Sequence, residues 1–339
     1  MLAEVAAEDA DHIFINARVY TLDDAHAWAE AVAVRGDEIV YVGSSDGATG
    51  LAGEQTRITD LDGRMLLPGF IETHIHIGDG LAQVGALELG PEMSKAEVLL
   101  AIEKYAARHP DQALLYGSGF LAPAFGDLGP TAADLDALIP DRDVFIFDEG
   151  LHSAWVNSKV LRTLGIDRNT PDPKPGSHYF QRYENGDPTG WLVEKGAFQP
   201  VADALGVFNR QRYESGTSEL FPLFASLGIT AAFDAGNMLS DEEAAAVMDA
   251  SRQAGQLPLR VVASYYVNLE EQLPSAVEYV QKRHKQYQSE LYDYRVLKLS
   301  LDGTVENKSA LMLAPWVGEE RNSTRPQIPR EPTAKLVLD

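Results

Sequence analysis

The sequence contains no cysteine among its 339 residues. This absence excludes disulfide bonds, thiolate metal sites and cysteine nucleophiles, so a metal ion must be bound by histidine, aspartate, glutamate or a less usual ligand. No apolar run approaches the ~20 residues that a membrane-spanning helix requires, and no basic stretch followed by an apolar one marks a signal peptide. We therefore expect no membrane partner and a cytoplasmic location, or a periplasmic or secreted one if a signal peptide was removed.

Basic residues are scarce relative to acidic ones. The chain has 28 lysines and arginines against 51 aspartates and glutamates, which gives a formal net charge of −23. Such a surface repels phosphate backbones, which excludes nucleic-acid binding through a general basic face. Hydrophobic residues at 45% and charged residues at 23% are typical of a globular protein. A typical domain of roughly 150 residues predicts about two domains at this length.

The N-terminal half of the chain has two kinds of pattern. Residues 12–66 carry short β-branched runs separated by Gly and Asp, which predicts a small β-domain over 1–66. Residues 81–220 are irregular and rich in turn formers, although segments near 93–108 and 209–226 are amphipathic. We interpret 81–220 as an insertion.

The C-terminal half alternates between apolar strand-like and amphipathic helix-like segments. Strand and helix lengths of this kind predict parallel βαβ units, and therefore an α/β fold. In chain order the predicted elements are a strand at 229–234, a helix near 240–254, a strand at 259–267, a helix near 274–286 and a strand at 294–301.

The segment ETHIHI, from Glu72 to Ile77, contains two histidines one residue apart. On a strand, period two places Glu72, His74 and His76 on one face, so both imidazoles can bind one divalent ion from the same side. The alternative is a chance pair on an exposed strand. Apolar neighbours predict a buried strand instead, where an unpartnered imidazole costs about 1–3 kcal/mol. We therefore expect a metal ion as the partner.

A second polar motif lies in the segment RVLKLSLDG, from Arg295 to Gly303. Period two places its leucines on one face and three polar residues on the other: Lys298, Ser300 and Asp302. A lysine on the inner face of an apolar strand is costly as a lone ammonium. Three interpretations remain open for Lys298: a structural salt bridge, a Schiff-base lysine with a lowered pKa, and a carbamylated lysine whose carboxylate bridges two metal ions.

Four segments together resemble the amidohydrolase superfamily, in particular its amidohydrolase-3 (YtcJ-like) branch, which includes relatives of N-substituted formamide deformylase. They are Leu66–His76, Asp148–Ser158, Pro188–Glu194 and Val296–Gly303. The resemblance covers residues 12–339. It implies a (β/α)₈ TIM barrel over 67–339 joined to a β-sandwich, with the insertion between barrel strands 1 and 2.

The resemblance also implies a metal site at the carboxyl ends of the barrel strands. Its ligands would be His74, His76 and Lys298, the last as a carbamate formed with CO₂. One or two divalent ions, expected to be zinc, would be bound there.

The sequence departs from the family in its length. Residues 68–80 and 221–339 supply about half of the ~250 residues of a TIM barrel, so only about the first half of the barrel is expected. The family also has two histidines on strands five and six and an aspartate on strand eight that handles the proton of the attacking water. No histidine follows His284 and the chain ends at Asp339. The catalytic residue is therefore unassigned, and the chain is expected to be a truncated form.

Three further residues are candidates for substrate binding. His152 and Glu194 lie in segments that carry the resemblance and could face the pocket, although such residues more often pack or cap locally. Asp302 could bind substrate or brace Lys298, but an aspartate at a strand end commonly caps the next turn.

The function that follows is metal-dependent hydrolysis of an amide or formamide-like C–N bond in a small-molecule substrate, through a metal-activated water. One alternative is a catalytically incomplete fragment of such an enzyme. Another is a lyase that uses Lys298 as a Schiff base, which would leave the two histidines unexplained. The chain could also form a homodimer.

Overall fold

The computed structural model describes residues 9–303, 305, 310–314 and 328–338. The chain divides into two compact units, Met1–Phe70 and Ile71–Asp339.

The first unit contains two small β-sheets. Its elements are β1 (Ala10–Ile15), β2 (Arg18–Tyr20), β3 (Trp28–Ala29), β4 (Ala31–Arg35), β5 (Glu38–Gly43), α1 (Ser45–Thr49), β6 (Ala52–Asp60) and β7 (Met65–Leu66). The strand orders are β5-β4-β1-β6 and β3-β2-β7. Strands β4 and β5 are joined by the predicted turn, in which Gly36 has a φ of +58° that favours glycine. Val19 and Val32, one from each sheet, belong to one buried cluster, so the sheets pack together.

The second unit contains the remaining strands and helices. The strands are β8 (Phe70–Ile75), β9 (Leu87–Glu88), β10 (Leu114–Phe120), β11 (Asp143–Asp148), β12 (Ser153–Val156), β13 (Tyr179–Arg182), β14 (Pro188–Val193), β15 (Ile229–Asp234), β16 (Arg260–Val267) and β17 (Tyr292–Leu299). The helices are α2 (Ile77–Gln83), α3 (Lys95–Arg108), α4 (Ala132–Asp136), α5 (Ser158–Leu164), α6 (Lys195–Ala204), α7 (Arg210–Ser226), α8 (Asp241–Gln253), α9 (Ala276–Tyr287) and α10 (Arg330–Leu338). None of the helices described is long and apolar enough to cross a membrane.

The segment interpreted as an irregular insertion forms a six-stranded sheet of order β13-β14-β12-β11-β10-β9. Its β9, β10 and β11 are parallel, whereas β12, β13 and β14 pair antiparallel. The segment is therefore regular in structure although its sequence is rich in turn formers, and its two amphipathic stretches are the helices α3 and α7. Its interpretation as an insertion stays a prediction. Residues 144–147 of β11 are fully buried, so both faces of this strand are covered. A strand buried on both faces has no alternation of polar and apolar residues to reveal it.

A second sheet has the order β17-β16-β15-β8. Strands β15, β16 and β17 are parallel and are connected by α8 and α9, which confirms the predicted βαβ series. The fold is α/β as expected. In the part of the chain that the structure describes, this sheet does not close into a barrel, and β8 and β17 form its two edges. Its assignment as the first half of a TIM barrel beside a β-sandwich remains a prediction.

The two sheets of the second unit share one hydrophobic core. A single buried cluster contains Phe147 and Leu192 from the six-stranded sheet together with Val261 and Tyr292 from the four-stranded sheet. Packing is therefore continuous between the segment 81–220 and the βαβ series.

Candidate functional site

A cavity of about 630 Å³ lies at the carboxyl ends of the four-stranded sheet. It is lined by His76, Glu149, Gly150, Leu151, His152, Met238, Tyr266, Lys298, Leu299, Ser300, Leu301, Asp302 and Gly303. His76 follows β8, Met238 follows β15, and Tyr266 and Lys298 lie near the ends of β16 and β17. Of the six predicted site residues, His76, His152, Lys298 and Asp302 line this cavity.

His76 lies just beyond β8, at the N-cap of α2, and not on the strand as predicted. Its Nδ1 is 2.5 Å from the carbonyl oxygen of Gly236 and therefore donates a hydrogen to it. This bond selects the tautomer whose Nε2 carries the lone pair that a metal ion requires. Burial lowers the pKa of His76, and Lys298 and His74 act in the same direction while the bond to Gly236 opposes them. These effects together favour the neutral imidazole.

His74 lies on β8, and its ring centroid is 5.6 Å from that of His76. It does not line the cavity, and its backbone N–H donates to Oε1 of Glu72. The prediction that this strand is buried is wrong, since Phe70 is 56% exposed and Ile71 68% exposed. The physical reason is that β8 is an edge strand of its sheet.

Lys298 lies on β17 directly beside Tyr266 of β16. Its Nζ is 4.9 Å from the centroid of the Tyr266 ring, and the same ring is 6.4 Å from that of His76. Burial lowers the pKa of Lys298, while the carboxylates of Asp79 and Asp234 act to raise it. No carboxylate of the described residues forms an ion pair with Lys298.

The residues present supply a metal-ligand set only if Lys298 takes part. Within the described ranges, no group of three or more histidines, aspartates and glutamates is arranged to hold a metal ion. The two adjacent imidazoles, one with its tautomer set by Gly236, fit two ligands of a divalent ion. The third ligand would be a carbamate oxygen on Lys298, which shares the cavity with His76.

His152 and Glu194 are brought together although they are 42 residues apart. Nδ1 of His152 is 3.1 Å from Oε2 and 3.3 Å from Oε1 of Glu194, and the N–H of Glu194 donates to the carbonyl of His152. Glu194 is 2% exposed and lies outside the cavity lining. Its φ of +65° is rare for a residue other than glycine and costs about 1–3 kcal/mol.

Asp302 lies beyond the end of β17 and lines the cavity. Its Oδ2 accepts the backbone N–H of Leu311 at 3.0 Å, and the hydroxyl of Ser300 donates to its carbonyl oxygen at 3.3 Å. The carboxylate of Asp302 is therefore engaged by the backbone of Leu311.

Two buried carboxylates beneath His76 were missed by sequence reasoning. Asp79 of α2 accepts the N–H groups of Met238 and Leu239, and Asp234 at the end of β15 accepts that of Ile77. Burial raises the pKa of Asp79 to about 6. Burial, and then the charge of Asp79, raises the pKa of Asp234 to about 8. An acidic residue that ends an apolar strand, as in Asp234, is the signal that could have indicated one of them.

Comparison with known proteins identifies similar chains. The sequence profile described as the amidohydrolase family matches residues 57–337. The exoenzymes regulatory protein AepA of Pectobacterium carotovorum subsp. carotovorum is 31% identical over 316 residues, which are 91% of this chain and 66% of that protein. N-substituted formamide deformylase of Arthrobacter pascens is 32% identical over 190 residues, 55% of this chain and 35% of its own length.

The putative amidohydrolase YtcJ of Bacillus subtilis (strain 168) is 35% identical over 180 residues, 52% of this chain and 34% of its own length. The chain thus spans between about one third and two thirds of these relatives. A crystal structure of an uncharacterized metal-dependent hydrolase from Pyrococcus horikoshii superimposes with a TM-score of 0.66 at 20% identity, over 96% of this chain and 62% of that chain. At this identity the likeness supports the fold alone.

Proposed function

Since the chain belongs to the amidohydrolase family, in its YtcJ-like branch, we propose that it is a metal-dependent hydrolase of a C–N bond in a small-molecule amide. The observation that carries the proposal is the cavity at the strand ends. There Lys298 and His76 both lie beside the Tyr266 ring, and His74, outside the cavity lining, has its ring 5.6 Å from that of His76. Metal-dependent hydrolysis needs such a convergence of ligands at one wall of a pocket.

In this proposal His74, His76 and carbamylated Lys298 hold one or two divalent ions, with zinc expected. A bound ion would polarise the amide carbonyl and lower the pKa of a water molecule. The protein's own contribution is to keep His76 neutral and oriented through Gly236. Asp79 fixes the residues after Gly236 by accepting their N–H groups, so the orientation of His76 depends on a buried support.

The surroundings of Lys298 favour formation of the carbamate. Burial lowers its pKa, which raises the fraction of neutral amine. The lone pair of neutral Nζ attacks the carbon of CO₂, so that an N–C bond forms while one C=O π bond opens and its electron pair moves to oxygen. One proton then leaves the nitrogen to solvent. The product carries a carboxylate oxygen that can bind a cation.

The substrate class that we propose is an amide with a small acyl group, such as an N-substituted formamide, in line with the name of the Arthrobacter relative. The apolar side chains of Leu151, Met238 and Leu299 line the cavity and could receive the N-substituent. A cytoplasmic location and a homodimer remain predictions.

A second candidate is that this chain is a catalytically incomplete form of such an enzyme. The observation that favours it is that the described residues contain no group of three histidines and carboxylates fit for a metal ion. It differs from the first candidate in metal affinity and in turnover.

The test is metal content and turnover on the same preparation. The protein is measured by mass spectrometry for bound metal, titrated with zinc by calorimetry, and assayed for amine release from N-butylformamide. We expect His76→Asn and Lys298→Met, each of which removes a proposed ligand, to weaken zinc binding by at least the roughly 10–100-fold that loss of a ligand's hydrogen-bond partner costs. The matched control is His284→Asn. The native His284 side chain pairs with Asp293 away from the cavity, so this variant should bind zinc as the unmodified protein does.

Carbamylation is measured separately by ¹³C NMR after equilibration with ¹³CO₂, where the signal should be lost in Lys298→Met. Metal binding without turnover would favour the incomplete form. If the protein neither bound metal nor turned over the substrate, the proposal would be refuted. Trapping of butyraldehyde on Lys298 by borohydride would indicate the Schiff-base lyase instead.

A further inference from the structure

We infer that His152, oriented by Glu194, delivers the proton to the leaving amine nitrogen. The inference rests on the proposed amide hydrolysis, since only such a reaction expels an amine. The observation that carries it is the pairing of a cavity-lining imidazole with a buried carboxylate in a strained backbone conformation.

The pair is held by regular structure and not by a flexible loop. Ser153 of β12 and Val193 of β14 are cross-strand partners, so His152 and Glu194 form the next pair at the end of this antiparallel ladder. The N–H of Glu194 donates to the carbonyl of His152 at 2.7 Å. Two residues joined through both backbone and side chains keep a constant geometry, as a group that transfers a proton must.

The backbone of Glu194 indicates that the position needs a carboxylate. A φ of +65° favours glycine, yet the residue is a glutamate whose side chain is only 3% exposed. Both carboxylate oxygens lie within 3.3 Å of Nδ1 of His152. Local strain of this kind is retained where the side chain has a function that a relaxed residue could not fulfil.

The carboxylate of Glu194 stabilises the protonated form of His152. A carboxylate at hydrogen-bond distance places a proton on Nδ1 and stabilises the imidazolium. The ring lines the cavity together with His76 and Lys298, and its charge acts on the ionisation of His76, so the imidazolium and the proposed ligands share one electrostatic environment. The titratable groups that line the cavity with His152 are His76, Glu149, Tyr266, Lys298 and Asp302, and the charge of Glu194 also acts on His178.

The proton transfer balances within one reaction cycle. As the C–N bond breaks, its electron pair stays on nitrogen, and the imidazolium of His152 gives that nitrogen a proton. The acyl carbon keeps the oxygen of the attacking water, and a proton lost by that water restores the imidazolium. Alkylamines are poor leaving groups unless they are protonated, so this transfer lowers the barrier.

The first experiment measures the pKa of His152 by NMR on protein with ¹⁵N-labelled histidine, with His152→Asn used to identify its signal. Glu194→Gln keeps the volume and one acceptor oxygen but removes the charge, and it should lower the pKa of His152 by one unit or more. The matched control is Asp293→Asn, which removes the carboxylate beside His284 and should shift only His284. A pKa of His152 that Glu194→Gln leaves unchanged would overturn the inference.

The second experiment compares two probes that differ in leaving group, N-butylformamide and 4-nitroformanilide. His152→Asn should reduce kcat for the alkyl amide about 10²–10⁴-fold and that for the nitroanilide less than tenfold, since nitroaniline leaves with little assistance. Equal losses on both probes would overturn the inference while leaving the hydrolase function intact. If the unmodified protein, with zinc added, turned over neither probe, the proposed function would fail, and the pair would then be a structural ion pair only.

Discussion

Asp234 should make the protein less stable as pH rises. Its carboxyl is buried at the end of β15, and burial raises its pKa to about 8 in the folded protein. An unfolded aspartate ionises near pH 3.9, so between about pH 4 and 8 the folded state holds one proton more than the unfolded state. The stability that this proton contributes is fully present below the unfolded pKa and is lost as pH rises through the folded one.

The magnitude follows from the proton difference. One bound proton changes the free energy of unfolding by ~1.4 kcal/mol per pH unit, which gives about 5–6 kcal/mol over the whole window as an upper bound. Asp234→Asn removes the ionisation but keeps an oxygen for the N–H of Ile77. Between pH 5 and 7, the folded wild-type carboxyl is neutral, so a neutral asparagine leaves the surroundings of Asp79 unchanged.

The assay is urea unfolding in EDTA at pH 5, 6 and 7, followed by tryptophan fluorescence. From pH 5 to 7, the free energy of unfolding of Asp234→Asn should rise relative to wild type by about 2.7 kcal/mol. The control is Asp60→Asn, since Asp60 is exposed and its pKa is lowered by the N–H of Asp62 and by Asn16. Its difference from wild type should stay constant over this range. A constant difference for Asp234→Asn as well would refute the reasoning.

Three further predictions concern stability, measured by urea unfolding at one pH. Gly216→Ala should destabilise by about 1–3 kcal/mol, because a Cβ there would lie 2.2 Å from the carbonyl oxygen of Leu81 in the neighbouring helix α2. Ser94→Ala removes the capping box of α3 and should cost about 1 kcal/mol. Tyr294→Phe removes a 2.7 Å hydrogen bond to the partly buried carboxylate of Asp241 and should cost about 1.5–3 kcal/mol.

Two of these three predictions have a comparison variant. Gly80 is also helical, but a Cβ there would meet only Leu220 at an ordinary 3.4 Å, so Gly80→Ala should stabilise by about 0.5–1 kcal/mol. Ser94→Asp, which keeps a cap, should stay within about 0.5 kcal/mol of wild type. A Gly216→Ala protein as stable as Gly80→Ala, or a Tyr294→Phe protein equal to wild type, would contradict the packing described here.

The βαβ series could be predicted from the sequence because each element carries its own signal. Strands such as β15 and β16 are short apolar runs bounded by turn residues, and the helices between them are amphipathic. Predicted boundaries differ by up to two residues, as in β17, which spans Tyr292–Leu299. The family could also be predicted, because four separate motifs carry the resemblance, and the profile match over 57–337 confirms it.

Features decided by tertiary packing could not be predicted. The burial of β8 depends on which strands flank it, and its edge position exposes Phe70 and Ile71 despite their apolar character. The contact between His152 and Glu194 depends on β12 pairing with β14, two strands separated along the chain by β13. No local pattern reveals such a pairing, which is why both residues were only separate candidates at the level of sequence.

The core shared by the two sheets of the second unit limits how this protein can be altered. Excising the segment 81–220 to obtain a minimal scaffold would expose the apolar surface of Val261 and Tyr292 and invite aggregation. Diversity in substrate preference is therefore accessible through Glu149, Gly150 and Leu151, which line the rim of the cavity, and not through exchange of the whole segment. A library for directed evolution should be confined to that rim. Replacements there alter the entrance of the cavity and leave the shared hydrophobic core unchanged.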